Sequence, residues 1–240
     1  MLKFIGIGSA FNTELGNNNA YLKQDGELFL IDCGSTNFSR MMEMNLLQGV
    51  KKITILQTHL HADHVGSLGD LVGYAFNVME PKGKVKVTLL TPTALTADVK
   101  AILKKVGVPE SQFNSVEIED EYRPDNLMGI SYIKPYLVQH VPHLTCFAYM
   151  FHINGQKVYY SGDCNMVPDE ILTSMLAGEI DYFYQDTSKA DFVGNVHLSL
   201  RELTELIPEK WRNRVYCMHL DPAFSVAEAE KFGFQVVNAG

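Results

Sequence analysis

No stretch of this sequence stays apolar long enough to cross a membrane as a helix, which takes about 20 consecutive apolar residues. A membrane is therefore not an expected partner. The N-terminus, Met1-Leu2-Lys3-Phe4, reads directly into a strand and lacks a signal-peptide pattern. Cysteine is scarce, and the four present, Cys33, Cys146, Cys164 and Cys217, show no paired spacing. That excludes a disulfide scaffold and suits reduced, packed thiols in a cytoplasmic protein. Cationic charge is also short: 20 Lys and Arg stand against 28 Asp and Glu, a net charge of −8. Such a balance disfavours extensive nucleic-acid binding. It leaves room for a small anionic substrate, because bound cations set the local charge. No internal repeat and no low-complexity linker interrupts the chain. At 240 residues it is expected to form one domain, 1–240, with a single sizeable core.

What is present is concentrated chemistry. Thr58-His59-Leu60-His61-Ala62-Asp63-His64 places three imidazoles and one carboxylate within six residues. The apolar run Ile53-Thr54-Ile55-Leu56 before it reads as a buried strand. A strand ending in such a cluster directs its donors into one small volume. Neutral imidazole nitrogen and carboxylate oxygen are ligands for zinc, manganese or iron. No packing need explains the four groups together. Further donors follow other strand-like segments: His140 and His143 after Val138, Asp163 after Tyr159-Tyr160-Ser161, and His219 after Val215-Tyr216-Cys217.

This set, in this order, resembles the metallo-β-lactamase superfamily from Phe4 to His219. The resemblance implies an α/β fold, an αββα sandwich of two mixed β-sheets flanked by helices, with the site at one sheet edge. It implies two divalent transition metal ions, zinc expected and manganese the alternative. His59, His61 and a third histidine would hold one ion. Asp63, His64 and His219 would hold the other, and Asp163 would bridge them. Two such ions lower the pKa of a shared water and clamp phosphoryl oxygens. Both His140 and His143 depart from the family's usual spacing. His140 is favoured because it directly follows its strand, leaving His143 near the ligands, facing substrate, or on a solvated turn. Asp32, in Leu30-Ile31-Asp32-Cys33-Gly34, matches the family's first motif and is expected to orient a ligand histidine, or simply to form a turn.

A second signal narrows the branch. Tyr184-Gln185-Asp186 followed by Val196-His197-Leu198 resembles the RNase Z-like members, which place an acid and then a histidine here. His197 would protonate the leaving oxygen, oriented by Asp186. With Asp63 these two make up the expected catalytic residues. The long tRNA-gripping arm of RNase Z is missing: only 20 residues separate His143 from Asp163. Compact relatives of that kind include cyclic nucleotide phosphodiesterases and phage anti-Pycsar enzymes. The expected activity is therefore hydrolysis of a small nucleotide phosphodiester, a cyclic nucleotide first, by a metal-activated hydroxide. RNase Z-like relatives are often homodimers, so a homodimer is expected. The alternatives are a tRNA 3′-processing endoribonuclease, a non-phosphoryl hydrolase of the same fold, and a non-catalytic binding module.

Hydrophobic patterning predicts strands near 2–6, 20–22, 28–32, 53–56, 85–90, 130–138, 147–153, 157–161, 182–185 and 215–218. Helices are expected over 65–76, 93–106, 168–176, 199–206 and 225–231. Ser199-Leu200-Arg201-Glu202 has capping-box spacing, and Asn154-Gly155 reads as a tight hairpin turn. Gly6-Ile7-Gly8-Ser9-Ala10-Phe11 lacks the third glycine of a dinucleotide fingerprint. Asn17, Asn18 and Asn19 read as a polar turn, with one of them reaching the pocket as the alternative. Segments 77–84 and 119–129 are either pocket-shaping loops or plain surface connections.

Overall fold

Alternation along the strands decides the architecture. In β3 (Glu27–Ile31), Phe29 and Ile31 enter one apolar core, while Leu28 and Leu30 enter another. In β4 (Lys52–Leu56), Leu56 enters the first core, and Ile53 and Ile55 the second. A strand apolar on both faces must be covered on both. The computed structural model, which describes residues 1–240, meets that demand with two six-stranded sheets.

The first sheet runs in sequence order: β1 (Lys3–Gly6), β2 (Asn19–Gln24), β3, β4, β5 (Lys86–Pro92) and β6 (Asn114–Ile118). Its first three strands pair antiparallel and the rest parallel, so the sheet is mixed. Four helices accompany it: α1 (Asn37–Glu43), α2 (Ala62–Val65), α3 (Leu68–Asn77) and α4 (Thr93–Lys105). Met41, Leu71, Leu95 and Val99 from these helices join Leu28, Leu30, Ile53 and Ile55 in the outer core.

The second sheet contains β7 (Ile130–Val138), β8 (Cys146–Ile153), β9 (Gln156–Tyr160), β10 (Tyr182–Asp186), β11 (Val215–Met218) and β12 (Gln235–Val236). Its spatial order is β12-β11-β10-β9-β8-β7. Pro135 lies in β7, and β7 is an edge strand, where a residue with no N–H to donate is tolerated. The covering helices are α5 (Asp169–Leu176), α6 (Leu200–Leu206), α7 (Glu209–Arg212) and α8 (Val226–Lys231). Ile171, Leu203 and Ala229 pack from them onto the second sheet.

Strand direction places the site. β7 and β9 each pair antiparallel with β8, while β9, β10 and β11 are mutually parallel. Hence β7, β9, β10 and β11 all end at the same edge. The Phe147 N–H donates to the Thr58 carbonyl at 3.0 Å, and the Tyr149 hydroxyl donates to the Gln57 carbonyl at 2.5 Å. These bonds bring the end of β4 to that edge too.

The predicted strands are present, with ends shifted by a few residues. Asn154 and Gly155 form the β8–β9 turn, both with positive φ, as a two-residue hairpin turn requires. Ser199 caps α6 in a reciprocal capping box with Glu202. The helix expected over 65–76 is a correction: it is two helices broken at Gly66-Ser67. The Ser67 N–H donates to the Cys33 carbonyl and its hydroxyl to the Gly34 carbonyl, anchoring the break to the end of β3. No helix is long and apolar enough to cross a membrane.

Candidate metal centre and active site

Six strand ends supply the site. Asp32 follows β3, His59 follows β4, His140 follows β7 and Asp163 follows β9, while Asp186 closes β10 and His219 follows β11. His61, Asp63 and His64 lie at α2, directly after β4. Asp32 and His219 hold positive φ, 68° and 58°. Such strain in non-glycine residues is tolerated where surrounding bonds over-determine the backbone.

The donors form two groups that share one residue. His59, His61, His140 and Asp163 present atoms within 4.8 Å of one another, and so do Asp63, His64, Asp163 and His219. In the first group, His61 Nδ1 lies 3.1 Å from His59 Nε2 and 3.2 Å from His140 Nε2. In the second, His64 Nε2 lies 3.3 Å from Asp63 Oδ2 and 3.2 Å from Asp163 Oδ1. His219 Nε2 lies 3.3 Å from Asp63 Oδ2 and 3.2 Å from Asp163 Oδ2.

Outward bonds fix which nitrogen faces inward. Thr58 Oγ1 donates to Asp32 Oδ2 at 2.7 Å, so it accepts from His59 Nδ1 at 3.0 Å. His140 Nδ1 donates to the Val196 carbonyl at 3.0 Å, and His64 Nδ1 donates to Asp32 Oδ2 at 2.7 Å. The inner nitrogens of His59, His64 and His140 therefore carry lone pairs toward the cluster when neutral. Outward hydrogen bonds of this kind set the tautomer of metal-binding histidines. Asp32 is itself gripped by the Thr58 N–H at 2.8 Å and by Gln57 Nε2 at 2.9 Å.

This donor set fits divalent cations. The inner nitrogens of His59, His61 and His140 cannot all satisfy one another with protons. His64 Nε2 and Asp163 Oδ1 are buried without a hydrogen-bond partner. Converging lone pairs and a buried carboxylate between them are what a cation of imidazole and carboxylate preference would satisfy.

Electrostatics divides the groups. Burial holds His59 well below the ordinary histidine range, and burial with the neighbouring His140 lowers His61. Burial also pushes against the charged form of His64 and His219, but the carboxylates outweigh it. Asp163 and Asp32 raise His64 well above its usual value, and Asp163 and Asp186 raise His219 to about 10. Burial opposes the ionised forms of Asp63 and Asp163 too, yet the surrounding imidazoles hold both below the usual carboxylate range.

Beside the cluster, His197 Nδ1 lies 2.6 Å from Asp186 Oδ2. The other Asp186 oxygen is 3.3 Å from His219 Nδ1, an ion-pair distance without hydrogen-bond alignment. Burial pushes the His197 pKa down, but the Asp186 charge prevails and leaves it raised.

A cavity of about 570 Å³ opens over these groups, lined by His61, Asp63, His140, Asp163, His197 and His219 among others. The structure thus brings together every residue of the HxHxDH run's donor set, His140, Asp163, His219 and the Asp186–His197 pair. His143 is exposed on the turn after His140 and does not line the cavity. The two segments expected as possible pocket walls do not line it either. Val78, Met79 and Glu80 border a separate cavity of about 400 Å³ with Met41 and Tyr74. The cavity wall comes instead from the β1–β2 connection, through Ala10, Phe11, Thr13 and Asn17, and from Ser35 and Thr36. Gln57 and Thr58 are structural parts of the site that sequence reading did not assign. Their only signal is position, as polar residues just past a buried strand.

Comparison with known proteins follows this geometry. The family model described as "Anti-Pycsar protein Apyc1" matches residues 1–239. An anti-Pycsar protein Apyc1 of Paenibacillus harenae is 29% identical over 225 residues, covering 91% of this chain and 88% of the relative. That of Bacillus phage 010DV004 is 30% identical over 258 residues, covering 98% and 95%. Among solved structures, a diphosphatase of the PhnP family has a TM-score of 0.77 at 19% identity, covering 100% of this chain and 95% of its own. The metallo-β-lactamase fold protein YhfI of Bacillus subtilis has a TM-score of 0.75 at 17% identity, with the same coverage. Human tRNase Z, short form, has a TM-score of 0.67 at 18% identity, covering 99% and 95%. At these identities the structural likeness shows the fold, the metallo-β-lactamase sandwich.

Proposed function

The chain belongs to the anti-Pycsar Apyc1 family, and from that premise we propose that it is a metal-dependent phosphodiesterase that opens a cyclic nucleotide. The observation that carries this reading is the Asp186–His197 pair on the wall of the cavity that also holds the two donor groups. His59, His61 and His140 would hold one cation, Asp63, His64 and His219 a second, and Asp163 would lie between. When bound, the cations supply Lewis acidity, lowering the pKa of a water and polarising phosphoryl oxygens.

The remaining work belongs to side chains. Asp63 faces the cavity as a carboxylate and orients the attacking water by accepting its hydrogen. The water oxygen bonds to phosphorus and gives up one proton to solvent, and the bond from phosphorus to a ribose oxygen breaks. That oxygen takes a proton from His197, whose Nδ1 stays bound to Asp186. The products are a nucleoside monophosphate and, after His197 recovers a proton from solvent, the starting enzyme. Asp186 holds the imidazole in one orientation and favours its protonated form.

A tRNA-processing nuclease is the second reading. It is disfavoured by one feature: the interval before Asp163 holds only the β8–β9 hairpin, closed by the two-residue turn at Asn154-Gly155. No arm is available there to grip a long RNA. Zinc as the natural metal, with manganese as the alternative, a homodimeric assembly, a cytoplasmic location and a single domain over 1–240 complete the reading. The four cysteines are free and buried, which suits that location.

The test is a substrate panel with purified protein and added zinc or manganese. Nucleoside 3′,5′-cyclic monophosphates are expected to be hydrolysed, and precursor tRNA and β-lactams left intact. Cleavage of precursor tRNA with cyclic nucleotides untouched would reverse the two readings. Inactivity toward every phosphodiester with full metal loading would dismiss both.

A further inference from the structure

Two features of the β1–β2 connection are not used by the chemistry above. The first is Phe11. Its side chain lines the cavity, yet the residue is 90% exposed. An aromatic ring left in water on a mobile loop would mean little. This loop is pinned. The Gly8 N–H donates to the Gly16 carbonyl at 2.7 Å, and the Asn12 N–H to the Ser9 carbonyl at 3.0 Å. Ser9 N–H and Asn12 Nδ2 both donate to the Leu220 carbonyl at 3.0 Å, and Leu220 N–H donates back to Ile7 at 2.8 Å. Leu220 directly follows His219, so the loop carrying Phe11 is bonded to the residue next to a cluster histidine. The backbone that carries Phe11 is thus held at the cavity mouth, with its ring in solvent.

The second feature is Asn17, which is 3% exposed and lines the same cavity. Its Oδ1 accepts from the Thr36 N–H at 2.9 Å. A backbone N–H can only donate, so this bond fixes the amide orientation and leaves Nδ2 as the other end. The backbone groups of Asn17 are occupied as well: its N–H donates to Thr36 Oγ1 at 2.8 Å, and its carbonyl accepts from Asn37 Nδ2 at 2.8 Å. Its neighbours are spent elsewhere, Asn18 on Tyr160 and Asn19 on the carbonyls of Ile31 and Asp32. Asn17 Nδ2 makes no hydrogen bond within the protein and is the end of the side chain left for the cavity.

We propose that this wall is the nucleoside-holding side of the cavity: Phe11 stacks on the base, and Asn17 Nδ2 donates to an acceptor oxygen or nitrogen of the substrate. The inference rests on the phosphodiesterase reading and adds the residues that hold the part of the substrate away from phosphorus. A planar ring is the ligand class that an exposed aromatic side chain on a pinned loop recognises. A donor left free on a cavity wall is available to an acceptor, and a nucleotide carries several.

The experiment separates base binding from chemistry. Phe11→Ala and Phe11→Trp are assayed on a nucleoside 3′,5′-cyclic monophosphate and on an abasic ribose 3′,5′-cyclic phosphate. Phe11→Ala is expected to raise KM for the nucleotide roughly tenfold, the range of one lost base stack, with kcat little changed. Its kcat/KM on the abasic compound should match that of the wild type, and Phe11→Trp should restore the nucleotide KM. Asn17→Asp keeps the acceptor for Thr36 and removes the donor, so it should raise KM at unchanged metal content and unchanged Tm. Equal losses on both substrates, or none on the nucleotide, overturn the assignment of Phe11. So does a change of oligomeric state in Phe11→Ala, seen by sedimentation, since the ring would then be packing against a second copy. Wild-type protein that cleaves the abasic compound but no nucleotide would overturn the cyclic nucleotide reading itself, a result distinct from a failure of Phe11 alone.

Discussion

Asp163 is the one residue common to both donor groups, with its oxygens 3.2 Å from His64 and His219 and 3.9 Å from His59 and His140. Asp163→Ala removes the negative charge between the proposed cation positions. Elemental analysis of that variant should show no more than one tightly held metal per chain, and retention of a full pair would refute the bridging role. His140→Ala should lower occupancy of the first position while His143→Ala leaves it intact, because only His140 turns an inner nitrogen toward His61. The reverse pattern would mean that the exposed imidazole reaches in. His197 is tested through the leaving group. A ribose oxygen departs poorly and p-nitrophenolate departs well. His197→Ala should therefore slow cyclic nucleotide hydrolysis by about a hundredfold or more, and bis-p-nitrophenyl phosphate hydrolysis far less. Asp186→Asn should follow the same pattern more mildly. The sign with pH follows from the raised His197 pKa. The acid form persists to higher pH than in a free imidazole, and the cyclic nucleotide rate falls as pH rises through the raised pKa. Loss of this limb in His197→Ala is the diagnostic, and equal losses on both substrates would assign His197 a supporting role instead.

The elements hold these side chains by close backbone approach. A Cβ on Gly34 would lie 1.8 Å from the Asp63 carbonyl oxygen, so the turn after β3 fits against α2 only without a side chain. Gly34→Ala must push α2 away, with a cost of roughly 1–3 kcal/mol for overpacking and a loss of metal held by Asp63 and His64. Gly73→Ala, in α3 with open space around the added carbon, should instead raise stability by about 0.5–1 kcal/mol. Thermal unfolding and metal analysis of the pair check this; similar Tm values would show that the turn has room to yield. The same contrast explains what could be read from sequence. Strands such as β3 and β4 announce themselves because both faces are apolar. The helix α1 does not: it is seven residues long and the Thr36 side chain makes no capping bond to it. β6, Asn-Ser-Val-Glu-Ile, carries two apolar residues on a sheet edge, and β12 is two residues long. The break at Ser67 depends on bonds to Cys33 and Gly34, more than thirty positions away, which local periodicity cannot express. At the site, histidines and aspartates were legible because their donors crowd in sequence and have few other uses. Gln57 and Thr58 were not, because their roles are bonds to Asp32 across 25 and 26 positions. Segments 77–84 and 119–129, each open to two readings, do not line the metal-centre cavity: Pro and acidic content marks a loop, not the direction it faces.

For the molecule as a whole, the net charge of −8 and the buried site pull in one direction. Asp32, Asp63, Asp163 and Asp186 are all buried around a handful of imidazoles. Without cations, that concentration of carboxylate is balanced by protons. This is why His64 is held well above its usual pKa and His219 at about 10, despite burial that opposes their charge. His59 and His61 lie below theirs and are neutral at pH 7, and Asp63 and Asp163 are ionised. A cation must meet a neutral imidazole, so loading the site at pH 7 expels a proton from His64 and another from His219, while His59, His61 and the two carboxylates release none. The sign is fixed: below the raised pKa values protons compete with metal, so apparent affinity falls as pH is lowered and rises as pH increases toward them. Since the cations bind the folded chain, chelation should also lower Tm, by an amount that grows with the metal concentration removed. Calorimetric titration of chelator-stripped protein with zinc, in buffers of different ionisation enthalpy at pH 7, measures the protons directly. The observed heat should shift with buffer ionisation enthalpy, in the sense of net proton release from His64 and His219. A heat independent of buffer would mean that the stripped site already holds its imidazoles neutral, with the carboxylate charge balanced in some other way.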